Sequence, residues 1–233
     1  MPRAQVQRNT LLRVLRALVL WPILALLIFY GLCTVSLVAM RFVPPPVTSV
    51  QIQRQIEAIF EEGDFEFRYY PVSLGAISDQ AERAVVAAED TRFYQHGGID
   101  WEELDKARRE AARRGRAPRG ASTITQQLVK NLFLTTHRSY VRKGLEVPLT
   151  YLAELILPKE RILALYLNVI EWGPGVFGIE AAARYHYDTS AADLSRDQAA
   201  RLAAVIPAPR TRRPQNMGSY AGTIRSRMQQ MGW

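Results

Sequence analysis

The longest apolar stretch of the chain, residues 17–40, sets the strongest limit on its architecture. It is rich in Leu, Val, Ile, Ala and Phe and contains no charged side chain. A helix of about 20 such residues crosses the hydrocarbon core of a bilayer. The alternative is a cleaved signal peptide, whose apolar region is usually only about 7 to 15 residues long. We therefore predict an uncleaved transmembrane helix over residues 17–40, followed by a stiff spacer at Pro44 to Pro46.

Basic residues flank this span unevenly. Arginines at positions 3, 8, 13 and 16 precede it, whereas only Arg41 follows it closely. Because Lys and Arg accumulate on the cytoplasmic side of a span, residues 1–16 are expected in the cytoplasm and residues 42 onward on the opposite side.

The remainder of the chain has the composition of one globular domain. Of the 233 residues, 48% are hydrophobic and 22% are charged, which is enough for a domain with its own core. Segments rich in Ala, Leu, Arg and Glu repeat with helical periodicity, so a mainly α fold is predicted, with residues 66–74 as the best extended candidate. Residues 41–65 are expected to be a linker and pre-domain segment, and residues 66–233 a single domain. The single cysteine, Cys33, lies within the apolar span, so the exported domain is expected to have no internal disulfide.

The net charge of +8 limits the kinds of molecule that the chain is expected to bind. A basic chain suits nucleic acid, an anionic membrane surface or an anionic substrate, and the membrane anchor argues against nucleic acid. The densest arginine run, residues 108–119, is most simply a solvated face in contact with water or lipid headgroups. Only four of the basic residues are lysines, at positions 106, 130, 143 and 159.

Residues 120–131, with the sequence GASTITQQLVKN, combine an apolar stripe with an unusually polar face. Helical spacing aligns Ile124 and Leu128 with Leu132, and it places Thr123, Gln127 and Lys130 on another face. A hydroxyl, a carboxamide and an ammonium suit a sugar that carries a phosphate. A capping box formed by Thr123 and Gln126 would explain those two residues but not Gln127, Lys130 or Asn131.

A second candidate is the end of a helix predicted from Asp79 to Asp90. Two acids, Glu89 and Asp90, stand at its C-terminal end, where the helix dipole favours a positive charge. Partial burial would raise the pKa of Glu89 toward neutrality and suit it to act as a general base. The alternative is a surface acid paired with Arg92.

Other titratable residues give weaker signals. His96, His137 and His186 are the only histidines and form no ligand pattern, so no zinc site is indicated. Taken alone, His96 is more often a hydrogen-bonded structural residue than a catalyst. Glu146 follows Arg142 and Lys143 at helical spacing, so the three can share one surface.

The motifs together resemble the peptidoglycan glycosyltransferases that polymerise lipid II. The motifs EDTRFYQHGG (from Glu89), GASTITQQLVKNLFL, RKGLE, KERILALYLNVIEWGPGVFGIEAAA and LSRDQAARLAAVIPAP occur in the order of that family, over about residues 70–214. The anchor resembles that of its monofunctional members. No serine is followed three residues later by lysine, so the transpeptidase motif of the bifunctional relatives is missing.

The resemblance implies a lysozyme-like helical fold and an inverting transfer. The 4-hydroxyl of the acceptor attacks the anomeric carbon of the lipid-linked donor and releases polyprenyl diphosphate. Glu89 and Glu146 are implied as catalytic residues, with Glu89 as the base and Glu146 assisting departure through a proton, a metal or the orientation of cations. The implied substrate-binding residues are Asp90, Phe93, His96, Ser122, Thr123, Gln126, Gln127, Lys130, Asn131, Arg142, Lys143 and Asn168.

The resemblance also implies partners and a location. The substrates are lipid II and the growing lipid-linked glycan, with membrane lipids and cell-wall synthesis or division proteins as further partners. No organic cofactor is expected, and a divalent cation, Mg²⁺ or Mn²⁺, is left open. The expected location is the bacterial inner membrane, as a single-pass protein with a periplasmic catalytic domain. An apolar surface near residues 131–145, including Leu132 to Leu134, is expected to enter the bilayer.

Two departures and two alternatives accompany this interpretation. Pro148 lies where the family continues a helix, so a kink is expected that leaves the placement of Glu154 open, and residues 184–187 lack the usual Phe and Lys. A membrane-bound lytic muramidase would also use a buried glutamate in a helical fold, but it would not need cations converging on a phosphate. An inactive membrane-anchored scaffold would not need Glu89 and Glu146.

Overall fold

The structure is a computed structural model that describes residues 2–61, 65–115 and 122–233, with the backbone alone for residues 2–15 and 17. Gly120 and Ala121, which begin the second motif, and Arg116 and Arg119 of the arginine run lie outside the described residues. The helices are α1 (Pro2–Met40), α2 (Ser49–Phe60), α3 (Asp79–Glu89), α4 (Trp101–Arg114), α5 (Ile124–Phe133), α6 (Tyr140–Ile156), α7 (Lys159–Val169), α8 (Ile179–Tyr187), α9 (Arg196–Ala203) and α10 (Gly218–Gln230). The prediction of a mainly α fold is confirmed.

A small sheet accompanies the helices. Its strands are β1 (Arg68–Tyr69), β2 (Glu171–Gly173) and β3 (Val176–Phe177), in the order β1-β3-β2. The β1 strand pairs parallel with β3, which pairs antiparallel with β2. Of the extended stretch predicted over residues 66–74, only two residues pair in the sheet, and Leu74–Ala76 forms a short 3-10 helix.

The core is centred on α7, which is buried from Ile162 to Val169. Helix α5 packs between α6 and α7, and α3 packs against α9 and α10. The stripe of Ile124, Leu128 and Leu132 predicted for α5 is buried, and apolar burial is what fixes an amphipathic helix of ten residues in place. Helix α5 thus lies beside α6, and hydrogen bonds from its first turns connect it to the end of α3.

Helix α1 is both an apolar span and part of the domain. Residues Leu18–Met40 are apolar enough and long enough to cross a membrane. The last turns pack on α6, where Leu37 is fully buried and the hydroxyl of Tyr30 donates a 3.2 Å hydrogen bond to the carbonyl oxygen of Leu145. At the C-terminal end of α1, Arg161 donates a 2.7 Å hydrogen bond to the carbonyl oxygen of Met40. The anchor is therefore fastened to the helix that carries the third motif.

The segment expected to be a linker contains α2, which packs on α5. A capping box at Thr48 starts this helix. Its Gln53 exchanges two hydrogen bonds with Thr136, at 2.7 and 2.9 Å, and its Arg54 pairs with Glu171 at 3.0 Å. These contacts fasten the chain that follows the anchor to the loop between α5 and α6 and to β2.

Candidate active site

Glu89 lies at the C-terminal end of α3, and Asp90 fixes that end against α5. The carboxylate of Asp90 accepts a 3.0 Å hydrogen bond from the backbone nitrogen of Ile124, at the positive end of α5. It also accepts from Nε2 of His96, at 3.0 Å. Asp90 is buried, and with both contacts made its charge is compensated. The two acids at the wrong end of α3 thus have separate partners.

The amide of Gln127, on α5, contacts Glu89 directly. Its Nε2 donates a 2.7 Å hydrogen bond to the carboxylate, and its Oε1 accepts a 2.9 Å bond from the hydroxyl of Tyr166. Arg92, the alternative partner of Glu89, pairs instead with Asp100 and Glu102. Glu89 is therefore not a simple surface ion pair.

Burial raises the pKa of the Glu89 carboxyl above its usual range, and the negative charge of Asp90 acts in the same direction. The hydrogen bond from Gln127 and the charges of Lys130 and Arg212 oppose this effect. A carboxylate with this balance is held ionised by specific neighbours while burial makes it a better proton acceptor.

Lys130 lies one turn after Gln127 on α5. Burial lowers the pKa of its ammonium, and the charge of Glu146 is the largest effect that raises it again. In the described part of the chain, Lys130 forms no ion pair with a carboxylate, in contrast to Lys143 and Lys159. Its positive charge is therefore available to an anionic ligand that binds beside α5.

The third motif forms a compact charged cluster on α6. Buried Glu146 accepts a 2.6 Å hydrogen bond from Arg142 through one oxygen and a bond from Lys143 through the other. The predicted shared surface of these three residues is confirmed. Because both oxygens are engaged, Glu146 orients the two cations.

Ser122 joins the two parts of the site. Its hydroxyl lies 3.4 Å from the ammonium of Lys143, and its carbonyl oxygen lies 3.5 Å from Nε2 of Gln127. A continuous set of contacts thus runs from Glu89 through Gln127 and Ser122 to Lys143 and Glu146. The structure therefore places the candidate base and the cationic cluster beside the same helix N-terminus.

Several predicted substrate-binding residues have other partners. The hydroxyl of Thr123 donates a 2.5 Å bond to the carbonyl oxygen of Gly98 and caps α5, where Gln126 completes the predicted capping box. Thr123 therefore does not join Gln127 and Lys130 on an open polar face, as the helical spacing suggested. Phe93 is fully buried beneath the ammonium of Lys159, so it offers no surface to a substrate.

Two amides support the backbone. Asn131 donates to the carbonyl oxygen of Gln127 at 2.8 Å. Asn168 exchanges bonds of 2.8 and 2.9 Å with the backbone of Val72 and donates to Ala164. Both side chains are buried, so their contacts hold the backbone of α5, of α7 and of the segment at Val72 in place.

Glu154 and Gly98 form the contacts between α6 and the first two motifs. Glu154 accepts bonds from Thr125 at 2.5 Å and Lys159 at 2.8 Å. Gly98 has a φ of +98°, and a Cβ there would lie 2.7 Å from Cγ2 of Thr150. Helix α6 is continuous through Pro148, which keeps Glu146 and Glu154 on one helix. Glu154 thus holds α6 in place beside α5.

One group of side chains in the described residues has the spacing of a metal site. The potential ligand atoms of Asp90, His96 and Asp100 lie within 4.8 Å of one another. Nδ1 of His96 accepts from the backbone nitrogen of Gly98 at 3.2 Å, so Nε2 carries the proton that Asp90 accepts. Asp100 caps α4 through the backbone nitrogen of Glu103. Each of the three side chains already has a hydrogen-bond partner in the protein, and a proton stands on the His96 nitrogen that faces Asp90, so the group as it stands does not suit a divalent cation.

Sequence reasoning did not single out Tyr166 or Arg212. Tyr166 is fully buried in α7, and its hydroxyl is the polar group that reaches Gln127. A polar atom within a buried helix was the available signal, because buried hydroxyls need partners. Arg212 acts on Glu89 by charge and donates to the carbonyl oxygen of Ala204 at 2.8 Å.

Comparison with known proteins identifies the family. Residues 56–231 match the protein family described as Transglycosylase. A biosynthetic peptidoglycan transglycosylase of Bordetella pertussis is 46% identical over 215 residues, covering 90% of this chain and 88% of its own. A protein of the same name from Pseudomonas fluorescens is 45% identical over 209 residues, covering 88% and 87%. The chain belongs to the transglycosylase family and is a glycosyltransferase of peptidoglycan biosynthesis.

Proposed function

We propose that the protein polymerises lipid II into glycan strands by inverting glycosyl transfer. The observation that carries this proposal is that a partly buried, hydrogen-bonded carboxylate, Glu89, lies near an ammonium, Lys130, that forms no ion pair with a carboxylate of the described residues. A base for a sugar hydroxyl and a cation for a diphosphate are the two groups that such a transfer needs.

Glu89 takes the proton from the 4-hydroxyl of the acceptor sugar as that oxygen bonds to the anomeric carbon of the donor. The bond from the anomeric carbon to the diphosphate oxygen breaks, and its electron pair leaves with the polyprenyl diphosphate. Lys130, Arg142 and Lys143 stabilise the negative charge of that group. Glu146 orients Arg142 and Lys143, so it acts on the leaving group through them.

The anchor places this chemistry at a membrane, which we propose is the bacterial inner membrane, with the domain on the periplasmic side. Leu18 and Tyr30 are separated by about 18 Å of helix, at 1.5 Å per residue, whereas a bilayer core is about 30 Å thick. The rest of the span is then the part of α1 that packs on α6. The contact between α1 and α6 therefore enters the outer leaflet.

Helix α6 has an apolar face suited to that position. Tyr140 is 99% exposed and Val141 75% exposed, and Leu155 continues the face. By contrast, Leu132 and Leu134, which were expected to enter the bilayer, are buried in the core. The lipid-facing surface is thus assigned to α6, next to Arg142 and Lys143, where the diphosphate of a membrane-held substrate would arrive.

The test is incubation of the purified protein in detergent with lipid II, followed by sizing of the glycan. Polymer longer than the substrate is expected, and it is expected to be absent with Glu89→Gln. The same protein incubated with polymeric glycan should release no fragments. Shortened glycan would instead identify a lytic muramidase, and no product from either substrate would favour an inactive scaffold.

Adding a chelator to this assay shows whether a divalent cation, in addition to the protein's own cations, stabilises the leaving diphosphate. Glu146 has both carboxylate oxygens bound by cations, Asp90 and His96 are hydrogen-bonded to each other, and Asp100 accepts from the backbone nitrogen of Glu103. If polymerisation depends on Mg²⁺ or Mn²⁺, the ion is expected on the substrate diphosphate rather than on these side chains. Substitution of Asp100 by Asn should then leave the metal dependence unchanged.

A further inference from the structure

A buried tyrosine lies behind the pair formed by Glu89 and Gln127. Tyr166 belongs to α7, its side chain is fully buried, and its hydroxyl donates to Oε1 of Gln127 at 2.9 Å. The other end of the same amide, Nε2, donates to Glu89 at 2.7 Å. A carboxamide has one accepting end and one donating end, so these two contacts are complementary.

The surroundings allow only one orientation of that amide. Its Nε2 lies between two acceptors, the carboxylate of Glu89 and the carbonyl oxygen of Ser122, at 2.7 and 3.5 Å. Among the described residues, Tyr166 is the group that donates to Oε1. Without this donor, Oε1 of the partly buried Gln127 would face the fully buried Tyr166 side chain with no partner there, which is costly for an acceptor turned away from water. The amide would then turn to reach water and leave Glu89.

We propose that Tyr166 is a positioning residue for glycosyl transfer: its hydroxyl holds Gln127 in the orientation that keeps a hydrogen-bond donor on Glu89. The inference rests on the proposed role of Glu89 as the base, and it adds a residue of the fourth motif that acts without touching substrate. Gln127 is correspondingly assigned the role of hydrogen-bonding Glu89 and not that of binding substrate, because both ends of its amide are hydrogen-bonded to the protein.

The donor matters because burial opposes ionisation of Glu89. A hydrogen bond to the ionised carboxylate favours the form that accepts a proton. The charged groups that act on Glu89 are Asp90 beside it, Lys130 on α5 and Arg212 after α9. Replacement of Tyr166 by Phe leaves all three in place, so a changed titration of Glu89 would report on the hydrogen-bonded chain alone.

The test uses Tyr166→Phe in the full-length protein, with lipid II as substrate. The substitution keeps the ring that fills the core and removes one oxygen atom. The acid limb of kcat/KM is expected to move up by about one pH unit, since a hydrogen bond to a charged group is worth about that much in pKa. An acid limb within about 0.2 pH units of the unmodified enzyme would overturn the proposal.

A double-mutant cycle tests whether Tyr166 acts through the amide. Gln127→Leu removes the donor itself, so it should move the acid limb by at least as much as Tyr166→Phe. The combined variant should move it no further, because both changes remove the same hydrogen bond. Additive shifts would mean that Tyr166 acts by another route. Should Tyr166→Phe fail to fold, an unmoved acid limb in Gln127→Leu alone would also sink the proposal.

A matched control comes from Tyr187 on α8. Its hydroxyl is buried and has no hydrogen-bond partner among the residues that the structure describes, so Tyr187→Phe removes the same atom without breaking a bond seen there. The acid limb of kcat/KM for Tyr187→Phe should lie at the same pH as that of the unmodified enzyme. A titration of ¹³C-labelled glutamate carboxyls, with the Glu89 signal identified from Glu89→Gln, measures the shift without turnover. If the unmodified protein makes no polymer, the proposed function fails, while the Glu89 titration still decides the role of Tyr166.

Discussion

Gln127 on α5 donates a 2.7 Å hydrogen bond to the carboxylate of Glu89 at the end of α3. This bond and the one from the backbone nitrogen of Ile124 to Asp90 connect the first two motifs. The polar face of α5 therefore holds the candidate base and also carries Lys130. This arrangement makes separable predictions for the base, the cations, the supporting carboxylate and the anchor.

Arg142→Ala should lower kcat by about 10² to 10³, because it removes one preorganised donor for the charge that develops on the leaving diphosphate. The kcat of Arg142→Lys should lie between those of Arg142→Ala and the unmodified protein, because lysine keeps the charge but loses the forked geometry of the guanidinium. Steady-state polymerisation of lipid II provides the measurement. Arg109→Ala, which removes an exposed arginine paired with Asp105 on α4, is the control. Equal effects of Arg109→Ala and Arg142→Ala would remove the case for a leaving-group role.

Asp90→Ala should destabilise the fold by about 3 kcal/mol, because two hydrogen bonds to a buried carboxylate are lost. Chemical denaturation in detergent measures the change in free energy of unfolding. Asp105→Ala on the exposed face of α4 should stay within about 0.5 kcal/mol of the unmodified protein. If Asp90→Ala were as stable as this control but inactive, Asp90 would have a direct role in the reaction instead.

Leu37→Ala should weaken the attachment of the anchor to α6. Leu37 is fully buried in the domain core, and a truncation of this kind leaves a cavity. The melting temperature in detergent is expected to fall by about 5–10 °C. Leu32→Ala, at a position of the same helix that is 64% exposed, should change it by less than about 2 °C. Identical melting temperatures for the two variants would show that α1 is an independent tether.

The pH dependence of polymerisation should be bell-shaped. Burial raises the pKa of Glu89, so the rate should fall as the pH drops through a value above the usual 4.5 of a glutamate. Burial lowers the pKa of Lys130, so the alkaline limb should begin below the usual 10.5 of a lysine. Lys130→Arg should move the alkaline limb upward, because a guanidinium stays charged there. An alkaline limb that does not respond to this substitution would show that Lys130 is not the titrating cation.

The sequence predicted the elements that depend on local periodicity and capping. Ile124 and Leu128 identified the buried stripe of α5, and the capping box at Thr123 is where its spacing placed it. The cluster around Glu146 followed from helical spacing alone. These features are confirmed because each depends on residues within about one turn of each other.

Other features depend on tertiary contacts that no local pattern encodes. The hydroxyl of Thr123 also reaches Gly98, 25 residues away, and Tyr166 reaches Gln127 from another helix. In a uniformly apolar span there is no periodicity to reveal that Leu37 is buried while Leu32 is exposed. The sequence therefore predicted local features such as caps and buried stripes, but it did not predict which distant group each side chain contacts.

The proposed reaction depends most on Glu89 as the base. Because burial raises its pKa, ionisation of Glu89 costs stability as the pH rises above 4.5, so Glu89→Gln should melt no lower than the unmodified protein at pH 7. The decisive measurement is polymerisation of lipid II by Glu89→Gln at matched folding and detergent content. We predict a well-folded protein that makes no detectable polymer, and polymer formed at the unmodified rate would contradict the assignment.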